Sequence, residues 1–288
     1  MDNKPKAIAL ILISALAFAI MGAMVKLAGD IPLFEKVFYR NLVSLGIACI
    51  MIKNTKVSFF GKKQNQKYLL SRSLLGLMGV ILSFYAINYL VLSDASMLNK
   101  TSPFFVTIFA VFFLKEKLTK IQIPVLIIVF IGALLIIKPQ FNLSVIPSLA
   151  GFLSAMCAGS TYTIIRFLRD REKPSTIVFY FSFVSVAVMF PLMMFNYQKP
   201  TIIQFIYLLG IGIFAGIAQF ALTNAYRFAP ASEVSIYDYT SIVFSAIIGF
   251  IVWSEVPDVL SIIGTLIIIT TAVFAFIYNE KRGLKKIG

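Results

Sequence analysis

The chain has 288 residues, of which 59% are hydrophobic and 13% charged, and its mean hydropathy is +0.91. So little polar surface cannot coat a soluble globule of this size, which excludes the soluble classes and places the chain in a bilayer. The net charge of +14 raises nucleic acid as a partner, but its distribution, given below, points to membrane lipids and to no nucleic acid.

A helix that crosses the ~30 Å hydrocarbon core needs about 20 mostly apolar residues, with its backbone groups satisfied within the segment. Ten such spans are read along the chain, at residues 7–28, 34–52, 69–90, 94–114, 121–137, 148–167, 174–195, 202–222, 232–252 and 258–278. The first is too long for the core of a secretory signal and is followed at once by another, so it is expected to be an uncleaved helix. Span 2 carries Arg40 inside it, with Glu35 and Lys36 near its start. Span 3 carries Arg72, Gly76, Gly79, Tyr85 and Asn88, and span 4 carries Asp94, Ser96, Asn99, Lys100 and Pro103. In the second half the polar positions are Gln219 of span 8 with Thr223 and Tyr226 just past its end, and Ser235, Tyr237, Asp238, Ser241 and Ser245 of span 9.

With the N-terminus inside, eighteen of the 26 Lys and Arg fall on the inner side, two (Lys138 and Lys199) fall outside, and six lie within spans. This is the positive-inside asymmetry, with anionic headgroups as its counterpart, and it puts both termini in the cytoplasm. The chain has no histidine, which rules out a histidine proton relay, a histidine-held metal and a Ser-His nucleophile. Cys49 and Cys157 fall inside apolar spans and read as small hydrophobic residues. Neither a metal nor any cofactor is expected, and no Walker-type pattern suggests a drive by ATP.

The last five spans echo the first five. Phe84, Ala86, Asn88, Ala95 and Ser96 are matched by Phe220, Leu222, Asn224, Ala231 and Ser232 at a spacing of 136. After three extra residues, Thr101, Ser102 and Glu116 are matched by Thr240, Ser241 and Glu255 at a spacing of 139. Five is odd, so the second half enters the membrane from the opposite side. The expected fold is an all-α integral membrane protein of ten transmembrane helices in two inverted five-helix repeats, residues 1–140 and 141–288. Inverted repeats are a recurring plan for secondary transporters, whose halves rock about a site near the bilayer midplane.

Several short runs carry a resemblance. Phe38-Tyr39-Arg40, the segment Ala95 to Pro103, the Leu-Lys-Glu-Lys-Leu that closes span 4, Asp238-Tyr239-Thr240-Ser241 and the Trp253 to Asp258 boundary together resemble the EamA-type carriers of the drug/metabolite transporter superfamily. That resemblance covers essentially the whole chain and implies secondary transport of a small metabolite across the bacterial inner membrane. Arg40, and Arg72 just before Leu74-Leu75-Gly76, are also similar to positions in carriers for riboflavin and for S-adenosylmethionine.

Ionisable groups inside apolar spans are costly and mark solute pathways. Arg40, Lys100 and Asp238 each lie six residues from the start of their span, about 9 Å deep at 1.5 Å per residue. By that count Arg40 and Lys100 share the outer half and Asp238 lies in the inner half. The candidate substrate site is Arg40, Tyr85, Asn88, Ser96, Asn99, Lys100, Gln219, Thr223, Tyr237, Asp238 and Ser241, with Asp238 also the candidate for proton coupling. Tyr39, Tyr162 and Tyr239 are aromatic candidates beside it. Lys26, Lys36, Arg72 and Arg166 read as side chains that snorkel to headgroups, and Glu35, Asp94 and Glu233 as boundary residues. Glu116 and Glu255 read as organisers of helix ends, and Gly76, Gly79, Gly212 and Gly216 as close helix contacts.

The function expected is secondary active transport, by alternating access, of an amino acid or another carboxylate-bearing or anionic solute, with protons as the candidate coupling ion. The rivals are a non-transporting membrane receptor or scaffold, and an intramembrane enzyme, which the missing histidine disfavours.

Overall fold

A computed structural model describes residues 4–55, 57–114, 122–138, 145–168, 171–228 and 235–284. The chain is all-α in these residues: α1 (Lys4–Leu27), α2 (Leu33–Thr55), α3 (Gln66–Tyr89), α4 (Leu92–Asn99), α5 (Ser102–Leu114), α6 (Gln122–Ile137), α7 (Ile146–Leu168), α8 (Pro174–Phe195), α9 (Ile202–Phe228), α10 (Thr240–Trp253) and α11 (Val259–Leu284). Short 3-10 turns at Lys63–Asn65 and Ser235–Tyr239 precede α3 and α10. Spans 4 and 9 are therefore both divided, the first into α4 and α5, the second into a 3-10 turn and α10.

Six of these helices, over residues 5–27, 63–89, 146–165, 174–195, 202–222 and 259–278, are long and apolar enough to cross a membrane unaided. α2, with Glu35, Lys36, Arg40 and Asn41 in its first half, is not among them. It depends on its neighbours to shield those groups, since unsatisfied polar atoms are costly in hydrocarbon. Ile, Phe and Leu side chains are exposed along α6, α8, α9 and α11, as suits a surface facing lipid.

The helix pairings repeat when each span is exchanged for the one five places on. Span 1 packs on span 8 and span 3 on span 6; span 2 packs on span 8 and span 3 on span 7; span 1 packs on span 9 and span 4 on span 6. Spans 2 and 7, 4 and 9, and 5 and 10 pack on one another and so map onto themselves. The 136-residue spacing extends into this packing. A Cβ on Gly76 of α3 would meet Phe181 of α8 at 3.1 Å, and one on Gly212 of α9 would meet Val43 of α2 at 2.5 Å. Gly79 closes on Cys157 and Gly216 on Ile47 in the same way, so all four glycines permit the close helix approach expected of them. With no hydrophobic force between helices in lipid, such close contacts hold the bundle together.

One end of the bundle is tied by polar contacts between the halves. α10 ends at Ser254, whose left-handed φ of 55° lets its N–H close on Phe250 O at 2.9 Å in an αL-type cap, while Glu255 N–H bonds back to Gly249 O at 3.2 Å. That turn aims Glu255 at the first half: its Oε2 accepts from Leu92 N–H at 3.0 Å, and its Oε1 takes the Lys26 ammonium. Glu255 thus organises a helix end as read, whereas Glu116 and Glu233 lie outside the described residues. Asp258 caps α11 through Ser261 N–H at 3.0 Å and pairs with Lys138. Ser261 Oγ donates to Asp94 Oδ2 at 2.8 Å, and Gln198 N–H to Glu35 Oε2 at 3.3 Å.

Candidate functional site

The site forms where spans 4 and 9 break. Pro103 has no N–H to give to a continuous span 4 and is tolerated only in the first turn of a new helix, so α4 stops at Asn99 and α5 starts at Ser102. Span 9 has no proline. Its turn is held by a side chain that bonds the local backbone in place of the helical ladder: Thr240 Oγ1 donates to Tyr237 O at 2.7 Å. Thr101 Oγ1 does the same to Leu98 O at 2.6 Å, and both partners are related by the 139-residue spacing. The breaks meet directly, since Tyr239 Oη donates to Lys100 O at 3.4 Å.

At this junction the Lys100 ammonium donates to Asp238 Oδ2 at 2.5 Å, with side chains 13% and 22% exposed. Lys100 also lies 5.9 Å from the Phe18 ring centroid of α1. Counting depth from span ends placed these two charges in opposite halves; the structure puts them in contact. The 3-10 turn is part of the reason, because it rises about 2 Å per residue against 1.5 Å in an α-helix and carries Asp238 deeper. Asp238 Oδ1 and, three residues on, Ser241 Oγ are buried without a hydrogen-bond partner among the described residues. Asn99 Nδ2 donates to Ser154 Oγ at 3.4 Å, and Ser154 donates to Gly151 O at 2.7 Å, which ties α4 to α7.

A second group of charges stands on α2 and α3. Arg40 is 7% exposed; its Nη1 donates to Asn41 Oδ1 at 2.9 Å, while its Nε has no partner among the described residues. Arg72 likewise has Nε and Nη1 buried and unpartnered among the described residues. Both guanidinium groups face the Phe181 ring, at 5.6 and 4.1 Å from its centroid. Gly76, one turn beyond Arg72, leaves room for that arrangement. Tyr162 of α7 lies within electrostatic reach of Arg40, Arg72 and Asp238 and yet is 43% exposed. Tyr162 is thus the side chain that feels both the ion pair and the guanidinium pair.

The remaining site candidates divide. Ser96 is half-buried and its carbonyl accepts from Lys100 N–H at 3.1 Å. Gln219 is half-buried on α9, and the side chains of Thr223, Tyr226 and Arg166 lie outside the described residues. Asn88 is not gathered with Lys100: its Oδ1 accepts from Lys36 Nζ at 3.0 Å. Tyr85 packs at a tilt against Tyr89, ring centroids 4.9 Å apart, near the end of α3, and Tyr237 packs against Ala7, Ile11 and Ala225. Three side chains read as snorkelling turn inward instead. Lys36 is fully buried and also donates to the carbonyls of Val25 and Gly29, Lys26 pairs with Glu255, and Arg72 joins Arg40. Arg72 and Phe181 are the members that the sequence reading left out. Two clefts of about 320 and 410 Å³, one between α6 and α11 and one beside Phe250, Glu255 and Pro257, have mostly apolar linings and include none of Arg40, Arg72, Lys100 or Asp238.

Charged side chains gathered where two membrane spans break, on a bundle whose halves share their packing, define a solute carrier. The profile of the EamA-like transporter family matches residues 5–138 and 145–277, and the chain belongs to that family. It is 33% identical over 276 residues to a pseudopaline exporter of Pseudomonas aeruginosa, covering 95% of this chain and 96% of that one. It is 27% identical to an S-adenosylmethionine uptake transporter of Rickettsia bellii, over 88% and 85% of the two chains, and 26% identical to a riboflavin transporter of Vibrio cholerae, over 96% and 94%. A solved structure described as a crystal structure of protein matches with a TM-score of 0.66 at 16% identity, over 97% of this chain and 99% of that one, which shows the fold. The protein is thus a multi-pass secondary transporter of small solutes, an inner-membrane carrier and not an enzyme.

Proposed function

We propose that this carrier moves a zwitterionic or anionic small solute bearing a carboxylate, by alternating access between two inverted repeats with both termini in the cytoplasm. The observation that carries the reading is the Lys100–Asp238 pair at the meeting of two broken spans. A solute carboxylate can replace Asp238 on Lys100 while a solute amine takes Asp238. Because desolvation nearly offsets the attraction within a buried ion pair, such an exchange of partners is close to neutral, and the solute can leave again. Protonation of Asp238 would release Lys100 in the same way, which is how a proton gradient would couple. The exporter at 33% identity supports outward movement.

The test is a screen of labelled amino acids and carboxylates in proteoliposomes under an imposed pH gradient, run in both directions. For the solute found, Lys100→Met should weaken binding far more than it lowers folded yield. Asp238→Asn should abolish gradient-driven accumulation while keeping some exchange. Unchanged affinity and flux in both variants would sink the reading.

A further inference from the structure

The ion pair leaves a charge imbalance in the site. Tyr162 lies within electrostatic reach of Arg40, Arg72 and Asp238, and Asp238 is already paired with Lys100, so three cations stand against one acid. Among the described residues neither guanidinium has an ion-pair partner, and three of their N–H-bearing atoms, Arg40 Nε and Arg72 Nε and Nη1, are buried with no acceptor. Two like charges held at one ring repel each other, and burying a cation without a counter-charge is costly. The Phe181 face offsets part of that by cation–π attraction, and the Asn41 amide oxygen serves Arg40 alone. Neither supplies negative charge.

We propose that Arg40 and Arg72 form a second anion subsite, built for a solute group that carries two negative charges, a dicarboxylate end or a phosphate-type group. The inference rests on the solute path proposed above and sharpens its substrate class: a zwitterion engaging Lys100 and Asp238 that has a further dianionic end. Arginine suits this task because its planar fork meets carboxylate or phosphate oxygens two at a time. Phe181 sets the approach of both forks, and Gly76 sets the approach of Phe181, so the receptor is fixed by helix packing and not by a loop.

The test uses the purified full chain in detergent, with malonate, inorganic phosphate and acetate as probes at equal ionic strength, read by thermal unfolding. Malonate and phosphate should stabilise the wild type at concentrations about tenfold lower than acetate, as expected for paired charge-assisted bonds. Arg72→Gln and Arg40→Gln should each remove that preference. If Arg72→Gln does not fold, Arg72→Lys decides, since it keeps the charge but loses the fork and should lose most of the malonate preference. A wild type indifferent to dianions, or Arg72 variants that keep the full preference, overturns the proposal. So does loss of the malonate response when phosphatidylglycerol is added, which would make a lipid headgroup the occupant. A malonate response that disappears in Lys100→Met but survives in Arg72→Gln removes this subsite and leaves the ion-pair reading standing. The converse, an Arg72-dependent response with flux indifferent to Lys100 and Asp238, removes the ion-pair reading alone.

Discussion

Glu255→Gln is the substitution whose consequence the structure defines most closely. One Glu255 oxygen accepts from Leu92 N–H at 3.0 Å and the other takes Lys26, whose Nζ also donates to Leu90 O at 2.8 Å and lies 5.3 Å from the Trp253 ring centroid. The amide keeps the shape and one acceptor, so the Leu92 bond can persist while the charge opposite Lys26 is lost. An exposed pair is worth about 0–1 kcal/mol and a broken buried pair costs about 3–5. With side chains 15% and 16% exposed, and with Trp253 and Leu90 O still holding the ammonium, we expect about 2 kcal/mol. Glu255→Ala should cost about 1–2 kcal/mol more, because Leu92 N–H then loses its acceptor. The measurement is reversible unfolding in mixed micelles, with Lys26→Met and the double variant completing a cycle. The pair joins α1, the α3–α4 junction and α10 at one end of the bundle, so weakening it should favour the state open there by about 30-fold, at tenfold per 1.4 kcal/mol. A reporter cysteine near Trp253 should label correspondingly faster. A Glu255→Gln loss below about 0.5 kcal/mol, or strictly additive losses in the cycle, would refute the ion pair as the source of that stability.

Gly212→Leu should destabilise the bundle by about 1–3 kcal/mol or prevent folding, since even a Cβ there meets Val43 Cβ at 2.5 Å; Gly46→Ala, with nothing within 4 Å, should be nearly silent, and folded yield with melting temperature checks both. For topology, with Cys49 and Cys157 replaced, a cysteine at Lys63 should resist an impermeant thiol reagent in intact cells while one at Lys199 reacts; the opposite pattern would reverse the proposed orientation.

How much of this was legible in the sequence follows from which forces act locally. Span number and extent were readable because a backbone in hydrocarbon has few options, and each of the ten expected spans has a helical counterpart among the described residues. The packing is consistent with a pseudo-symmetric repeat, since some matched residues sit in matched local structures: Thr101 and Thr240 hold equivalent turns, and Gly76 of span 3 closes on span 7 as Gly212 of span 8 closes on span 2. That spans 4 and 9 would divide was half visible, in Pro103 but not in Ser235 to Thr240, where a hydroxyl and a 3-10 turn do the work of the proline.

What could not be read was side-chain direction. Arg72 lies six residues into α3, close after a loop rich in lysine, and a cation so placed can either rise along its own helix to headgroups or turn across it to the bundle interior. Composition and depth are the same in both cases. The choice is made by a neighbour distant in sequence, Phe181, which Gly76 admits to within van der Waals reach of α3 and whose ring then receives the guanidinium at 4.1 Å. Lys36 shows the same logic, since its burial depends on carbonyls freed at the end of α1, Val25 and Gly29, and on Asn88 of α3. Depth counted along one helix singles out Lys100 and Asp238, but that the two meet follows only from the crossing of helices. A charged residue near a span end is best read together with the small residues one turn away, which show whether another helix comes close enough to receive it.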